Sequence, residues 1–182
     1  MAAVLAQVDN TLRLFDPESG LGFTLDLPDG VVIDATLRPS IATLKLGAAI
    51  VNSPSRNLLL TFDRQLVLLN PSKPSTACIG AVGAAGVLTG DYQYAYSFIR
   101  KDVDDNIITE SAMSALSNVV TTTADQVDLT SIDVSADTDT VTGRRLYRTL
   151  SGGTILYFLA DIDDNTTTTY TDNAADATLS IL

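Results

Sequence analysis

The 182-residue chain contains no histidine and no tryptophan, and it has a single cysteine at position 78. The absence of histidine removes the side chain that enzymes most often use as a general base and that metals most often bind. One cysteine excludes an internal disulfide and a zinc site built from several thiolates. We therefore expect Cys78 to be a small apolar residue inside a strand.

Sequence motifs of common catalytic sites are also missing. The chain has no G-x-S-x-G elbow, no P-loop and no G-x-G-x-x-G stretch. The glycine-rich run "GAVGAAG" from Gly80 to Gly86 lacks the lysine and the helix that a phosphate-binding loop needs. We expect no catalytic residue, no cofactor and no enzymatic activity.

Basic residues are scarce, and the shortage is confined to one part of the chain. Residues 1–75 hold six basic and seven acidic residues, whereas residues 76–182 hold five basic and fifteen acidic ones. An acidic surface repels phosphate backbones, so no nucleic-acid partner is expected. The near-neutral first part is the better candidate for docking onto another protein.

Long apolar runs are absent as well. No stretch approaches the roughly 18 consecutive apolar residues that a membrane-spanning helix requires. The opening "MAAVLAQVDN" has no basic segment and too short an apolar run for a secretory signal. We therefore expect no membrane association and assembly in a cytoplasm.

Frequent turn signals separate short apolar or alternating runs along the whole chain. "DPESG", "PDG", "NPSKPS", "LTGD" and "SGG" are examples, and this spacing predicts an all-β fold. Residues 1–75 read as β-hairpins, with "NTLRLFD" and "GFTLDL" as strands, followed by "DGVVIDATL", "IATLKLGAAIV", "NLLLTFD" and "QLVLLN". Proline holds the segment "NPSKPSTA" extended, so we place the domain boundary there, between residues 75 and 76.

Several leucines of the first domain fall in runs that are apolar on both strand faces. Such a strand is covered by protein on both sides. One alternative is that a neighbouring subunit covers one face, which makes these leucines interface candidates: Leu58, Leu60, Leu66 and Leu68. The other alternative is an ordinary small β-domain with its own core.

Residues 76–182 predict about seven strands, a count typical of an immunoglobulin-like or fibronectin type III-like sandwich. In "DYQYAYSFI" the residues Tyr92, Tyr94, Tyr96 and Phe98 share one face. A row of aromatics is usually sandwich core, although it can also be a stacking platform for a sugar or a base. The predicted core residues are Tyr94, Tyr96, Phe98, Leu129, Leu146, Tyr157 and Leu159. The segment "ESAMSALSNVV" suits either an irregular crossover or a short helix.

The stretch "DIDDNTTTTYTD" partly matches a calcium-binding loop. Asp161, Asp163 and Asn165 occupy the first three ligand positions. However, Thr166 stands where the loop needs glycine, and strands rather than helices flank it. The pattern D-x-D-D-N recurs at residues 102–106, and aspartate and asparagine favour turns without any metal. These residues are therefore weak calcium candidates, with turn formation as the stronger interpretation.

Three arginines form the one basic cluster of the acidic part. On a strand, Arg144 and Arg148 share a face and Arg145 points the other way. Pairing with nearby aspartates is the simpler interpretation. The alternative is that Arg144 and Arg148 form an interface patch for an acidic neighbour.

Four motifs in a fixed order carry a resemblance. They are "GDYQYAYSF", "ESAMS", "RRLYRTLSGG" and "DNTTTTYTD". Together they resemble a fibronectin type III-like module that is common in bacteriophage virion proteins, over residues 86–182. The sequence departs from the module's usual form at "DVDDN", where a glycine often sits in the turn.

The resemblance implies a structural component of a tailed-phage particle, located in the virion and in contact with other virion proteins and with copies of itself. We expect a neck, tail or fibre-attachment protein. The alternatives are a capsid decoration protein and a β-sandwich module that binds a host-surface glycan through exposed tyrosines.

Overall fold

The computed structural model confirms an all-β fold. It describes residues 4–16, 18–27, 31–33, 35–36, 40–44, 47–51, 57–60 and 64–179. The chain forms two compact units, residues 1–70 and residues 71–182, whereas the sequence placed the boundary five residues later. The second unit starts before residue 76 because hydrogen bonds tie Ser75 and Thr76 to it. The carboxylate of Asp133, in the second unit, accepts four hydrogen bonds from the backbone and hydroxyl groups of these two residues at 2.7–2.9 Å.

The described residues of the first unit form two antiparallel sheets. One has the order β1-β2-β3, with β1 at Val4–Val8, β2 at Thr11–Phe15 and β3 at Gly22–Thr24. The other has the order β4-β5-β6-β7, with β4 at Ser40–Leu44, β5 at Gly47–Val51, β6 at Leu58–Leu60 and β7 at Leu66–Leu68. The strand predicted in "DGVVIDATL" is wrong for its described residues, which form no strand, although Val31 and Ile33 are buried.

The leucines of β6 and β7 belong to the core of this unit. Leu58, Leu66 and Leu68 are buried against Leu12 and its neighbours, and Leu60 packs against the same core while half-buried. The unit therefore covers these side chains itself. This placement corrects the interface hypothesis for Leu58, Leu60, Leu66 and Leu68 and favours the alternative of an ordinary core.

The second unit is described from Pro71 to Leu179, and this stretch holds seven strands in two antiparallel sheets. The four-stranded sheet has the order β10-β9-β12-β13, with β9 at Tyr94–Lys101, β10 at Ile107–Glu110, β12 at Gly143–Thr149 and β13 at Leu156–Ile162. The three-stranded sheet has the order β14-β11-β8, with β8 at Ile79–Tyr92, β11 at Val120–Thr130 and β14 at Tyr170–Asp172. The two apolar runs "NVVTTT" and "QVDLTSI", each of which the sequence suggests as a separate strand, belong to one strand, β11.

The aromatic row of "DYQYAYSFI" lies in the core, as its alternation predicted. Tyr94, Tyr96, Phe98, Leu129 and Leu146 are buried in one cluster, and the half-buried Leu159 packs against it. The prediction is wrong for Tyr157, which is half-buried and outside this cluster. Its strand, β13, is an edge strand in which all residues before Ile162 are only half-buried.

The segment between β10 and β11 is an irregular crossover without a helix. Every third residue is a serine, and each serine bonds one β9 residue twice, donating its amide N–H to the carbonyl oxygen and accepting that residue's N–H at Oγ. The pairs are Ser111 with Phe98, Ser114 with Tyr96 and Ser117 with Tyr94, at 2.8–3.1 Å. The three serines are three residues apart in the crossover, whereas their partners are two residues apart in β9. We call these three paired serines the serine ladder. The residues between the serines, at positions 112, 113, 115 and 116, are all exposed.

Candidate functional site

The two D-x-D-D-N turns meet around the ammonium group of Lys101. Its Nζ lies 2.6 Å from Oδ1 of Asp163, 3.3 Å from Oδ2 of Asp161 and 3.0 Å from Oδ1 of Asp105. Asp105 comes from the first copy of the pattern and the other two carboxylates from the second. The hydrogen bond to Asp163, followed by those to Asp105 and Asp161, raises the pKa of Lys101.

This geometry corrects the calcium hypothesis. The cation between Asp161 and Asp163 is a lysine of the chain itself. Asn165 points elsewhere, because its side-chain amide makes two 2.9 Å hydrogen bonds with the backbone of Ser135. Among the described residues, no group of three or more acidic or cysteine side chains is placed to hold a metal ion.

Asp161 also binds Arg145 through two hydrogen bonds, at 2.7 Å from Nε and 2.9 Å from Nη2. Burial by itself would raise the pKa of Asp161, but the hydrogen bond and the charge of Arg145 outweigh it, and the pKa is lowered. The Arg145 guanidinium lies 4.7 Å from the ring centre of Phe158. Arg145 is thus fixed by a carboxylate and an aromatic ring on the outer face of the four-stranded sheet.

One further aspartate in each of the two turns stabilises the turn by accepting backbone hydrogen bonds. Asp164 accepts hydrogen bonds from the N–H groups of Thr166 and Thr167, both at 2.7 Å. Asp102 does the same for Asp104 and Asn106 at 2.9 Å. These are the aspartate-stabilised turns that the sequence favoured over a metal loop.

The first turn has a left-handed position that is not filled by glycine. Asp105 has a φ of 66°, in the left-handed region where glycine is usual. Aspartate is one of the few other residues that adopt this conformation readily. The left-handed position of this turn is therefore filled by a residue that also pairs with Lys101.

Replacing Asp164 with asparagine isolates the effect of its charge, because asparagine keeps an oxygen that accepts the two threonine N–H groups. The hydrogen bonds from Thr167 and Thr166 lower the pKa of Asp164 well below its ordinary 3.8. A lowered folded-state pKa gives a stabilisation that is complete above the unfolded-state pKa and is lost as the pH falls through the folded-state value.

We therefore expect Asp164→Asn to be less stable than the natural chain above about pH 5, with the difference shrinking toward zero below about pH 3. Chemical denaturation of both proteins across this range measures it. A stability difference that stays constant or grows in acid contradicts the assignment.

Arg148 is fully buried at the interface of the two sheets of the second unit. Its Nη1 lies 2.7 Å from Oδ2 of Asp172, which is also fully buried, and its Nη2 lies 2.7 Å from Oδ1 of Asp176. Tyr94 donates its hydroxyl to the same Asp172 oxygen at 2.9 Å. Burial raises the pKa of Tyr94, and the charge of Asp172 adds to this. Because Arg148 and Tyr94 lie in one sheet and Asp172 in the other, the cluster joins the sheets.

Arg144 lies at the other end of the same strand face and is also fully buried. Its Nη1 donates to the backbone carbonyl and to the carboxylate of Asp164. Burial lowers the pKa of Arg144, against the opposing charge of Asp164. In the pairing of β12 with β9, Arg144 lies opposite Phe98 and Arg148 lies opposite Tyr94. Both arginine side chains therefore project from the core face of the sheet.

This placement corrects the hypothesis that Arg144 and Arg148 form an interface patch. Neither guanidinium is accessible to a neighbour, and both pair with aspartates of the same chain. The simpler interpretation from the sequence is the one that the structure supports.

The tyrosines do not form a stacking platform for a glycan. All six tyrosines of the sequence lie in the described part of the second unit, and none is exposed: Tyr92, Tyr94, Tyr96 and Tyr147 are buried, and Tyr157 and Tyr170 are half-buried. The hydroxyl of Tyr147 donates to Glu110, which also accepts a 2.6 Å hydrogen bond from Ser97.

Sequence reasoning missed the residue at the centre of the polar cluster. Lys101 directly precedes the first D-x-D-D-N copy, and a lysine beside one of two acidic repeats is the signal that was available. The repeats meet because they follow β9 and β13, which lie on either side of β12 in the same sheet and run in the same direction.

Comparisons with known proteins identify no relative of this chain. No protein-family model, no curated protein and no solved structure matches the chain. Within the residues that the structure describes, no helix has the length and apolar character needed to cross a membrane.

Proposed function

We propose that the chain is a structural component of a tailed-phage particle that acts through protein–protein contacts. The motifs of residues 86–182 that resemble fibronectin type III-like virion modules support this role. The all-β fold is compatible with it.

The observation that carries the proposal is how the charged side chains of the second unit are used. Four of its basic residues form ion pairs inside the unit: Lys101, Arg144, Arg145 and Arg148. Each of the predicted site residues Asp161, Asp163, Asn165, Arg144 and Arg148 has a partner in the same unit. These groups hold turns and sheets in place, which suits a rigid module better than a ligand-binding site.

Within this role we propose a neck, tail or fibre-attachment position rather than capsid decoration. Two compact units with different charge support it, because residues 1–70 hold five basic and seven acidic residues, a net charge of −2, and residues 71–182 hold six basic and fifteen acidic residues, a net charge of −9. In this proposal the near-neutral unit contacts other virion proteins, and the acidic unit faces outward.

Quantitative mass spectrometry of purified phage particles tests the role. We expect the chain at several copies per particle after nuclease treatment and high-salt washing, because a structural protein is held by buried contacts and not by adsorption. The matched control is the supernatant of the same lysate. A chain that is found only in the supernatant contradicts the proposal.

A further inference from the structure

The second unit begins with a segment that belongs to neither of its sheets. Residues 71–76, which we call the strap, contain no strand and lie in sequence between the first unit and β8. Pro71 and Pro74 are buried, and proline has no backbone N–H to donate to a neighbouring strand. Contacts other than strand pairing therefore attach the strap to the sheets.

One carboxylate accepts hydrogen bonds from both residues at the end of the strap. Oδ2 of Asp133 accepts the N–H and the hydroxyl of Ser75 and the N–H of Thr76, each at 2.9 Å. Oδ1 accepts the hydroxyl of Thr76 at 2.7 Å. Burial by itself would raise the pKa of Asp133, but the hydrogen bonds from Thr76 and Ser75 outweigh it, and the pKa is lowered. The four donors thus hold the carboxylate in its charged form.

The hydroxyl of Tyr96 joins the same two segments a second time. It donates to the carbonyl of Thr76 at 3.0 Å and accepts the N–H of Asp133 at 2.9 Å. Tyr96 lies on β9 and is fully buried in the core. The strap is therefore fixed to a core residue through the segment that carries Asp133.

The backbone before Asp133 is strained. Ser131, directly after β11, has a φ of 56°, in the left-handed region that a non-glycine residue occupies only when surrounding contacts fix it. The turn at Ser131 precedes Asp133 by two residues. Strain at this point indicates that the contact between Asp133 and the strap is specifically determined by the fold.

The attachment itself is open to water. Ser75 and Thr76 are exposed and Asp133 is half-buried, and two of the six strap residues are buried, the prolines. A segment with few buried side chains and solvent-exposed hydrogen bonds opens more easily than a packed core. The sheets behind the strap form such a core.

We propose that the strap opens as a separate element, with Asp133 as its latch, while the two sheets of the second unit stay folded. Opening frees six residues, which span up to about 20 Å when extended. The latch thereby sets how much of the chain between the two compact units is free.

The biological use of a connection of variable length rests on the proposed virion role, but the test of the latch does not. A strap that opens separately in a chain absent from particles removes the virion role alone. A chain that is present in particles and whose strap never opens separately removes this inference alone.

Amide hydrogen exchange on the full chain is the first test. Asp133→Ala should raise the exchange rates of the Ser75 and Thr76 amides by at least about tenfold, because both amides lose a charged acceptor. The amides of the central strand β12 should keep their natural rates. Asp133→Asn retains the shape of the side chain and loses only its charge, so it should give a smaller increase at the same two amides.

Asp128→Ala is the matched control. Asp128 is also half-buried and accepts a 2.7 Å hydrogen bond, but from the hydroxyl of Thr171 on β14. This variant should leave exchange at Ser75 and Thr76 as it is in the natural chain.

The single cysteine of the chain gives a second readout. Cys78 lies two residues beyond the strap and is 1% exposed. Burial raises its pKa to about 11, so the thiol is unreactive at neutral pH. An open strap draws the adjacent Cys78 toward water, so Asp133→Ala should speed thiol labelling by at least about tenfold. Low urea should change this rate little, because a local opening exposes little surface.

A mutant cycle tests whether the strap hydroxyls act through the latch. Ser75→Ala combined with Thr76→Val removes both hydroxyls and should speed labelling in the natural background. The same pair added to Asp133→Ala should have little further effect, because the acceptor is already gone.

Three results overturn the inference. One is a natural chain in which the Ser75 and Thr76 amides exchange with the same steep urea dependence as the amides of β12. Another is unchanged exchange at both amides in Asp133→Ala and Asp133→Asn. The third is an Asp128→Ala control that speeds exchange and labelling as much as Asp133→Ala does.

Discussion

Replacing Asp172 with alanine should lower the free energy of unfolding by about 3–5 kcal/mol. Asp172 and Arg148 are both fully buried and lie 2.7 Å apart. Removing the carboxylate leaves a buried guanidinium without its buried counter-charge and leaves the hydroxyl of Tyr94 without its acceptor. Urea denaturation of the full chain, followed by a signal specific to the second unit, measures the loss.

Asp176→Ala provides the matched control. Asp176 pairs with the same guanidinium at the same 2.7 Å, but its side chain is 33% exposed. Water can replace much of that interaction, so we expect a loss of about 1 kcal/mol or less. Equal losses for the two variants, or a loss below about 1 kcal/mol for Asp172→Ala, contradict the assignment of Asp172 as the link between the sheets.

Replacing Phe98 with alanine should cost about 3–5 kcal/mol, because it removes a large side chain from a packed core. Phe98 is 4% exposed and packs edge-on against Tyr96, with ring centres 6.4 Å apart. It also stands beside Arg144 in the strand register, so a cavity at this position loosens the surroundings of a buried charge.

Phe158→Ala is the control for this prediction. Phe158 is half-buried on the outer face, beneath the guanidinium of Arg145. A partly exposed cation–π contact contributes about 0.5–1 kcal/mol, so the loss should be clearly smaller than that for Phe98→Ala. If Phe98→Ala costs less than about 1 kcal/mol, Phe98 is not a core residue.

The fold of the second unit could be predicted well because its signals are local. The alternation in "DYQYAYSFI" places the aromatic side chains on one face whatever the neighbouring strands do. Strand limits were harder to predict. The bulges in the pairing of β8 with β11 and the left-handed Ala124 inside β11 let the backbone bend without ending the strand.

The burial and the partners of the charged residues depend on contacts between residues distant in sequence, and no local pattern reveals these contacts. The sequence showed that Arg144 and Arg148 share a face, but not whether that face was core or surface. Arg148 meets Asp172 because β12 and β14 lie in opposing sheets. Lys101 meets Asp161 and Asp163 because two strand ends adjoin. Calcium ligands and lysine partners have the same sequence signature, since both are clustered carboxylates.

The serine ladder was visible in the sequence as S-x-x-S-x-x-S, but its period of three suits a helix face as readily as a crossover. The part of β9 that extends beyond its pairing with β10 decides between them, because the backbone amide and carbonyl groups of that part of β9 need hydrogen-bond partners. The serines supply these partners through both backbone and hydroxyl groups. That requirement comes from a strand more than ten residues away.

The most direct test of the structural role is an electron cryomicroscopy map of the intact particle. Our account predicts repeated density for the two-sheet module at the neck, the tail or a fibre attachment site. Density on the capsid shell would support the decoration alternative over the position that we propose. A complete particle map with no density for this chain would contradict the structural role itself.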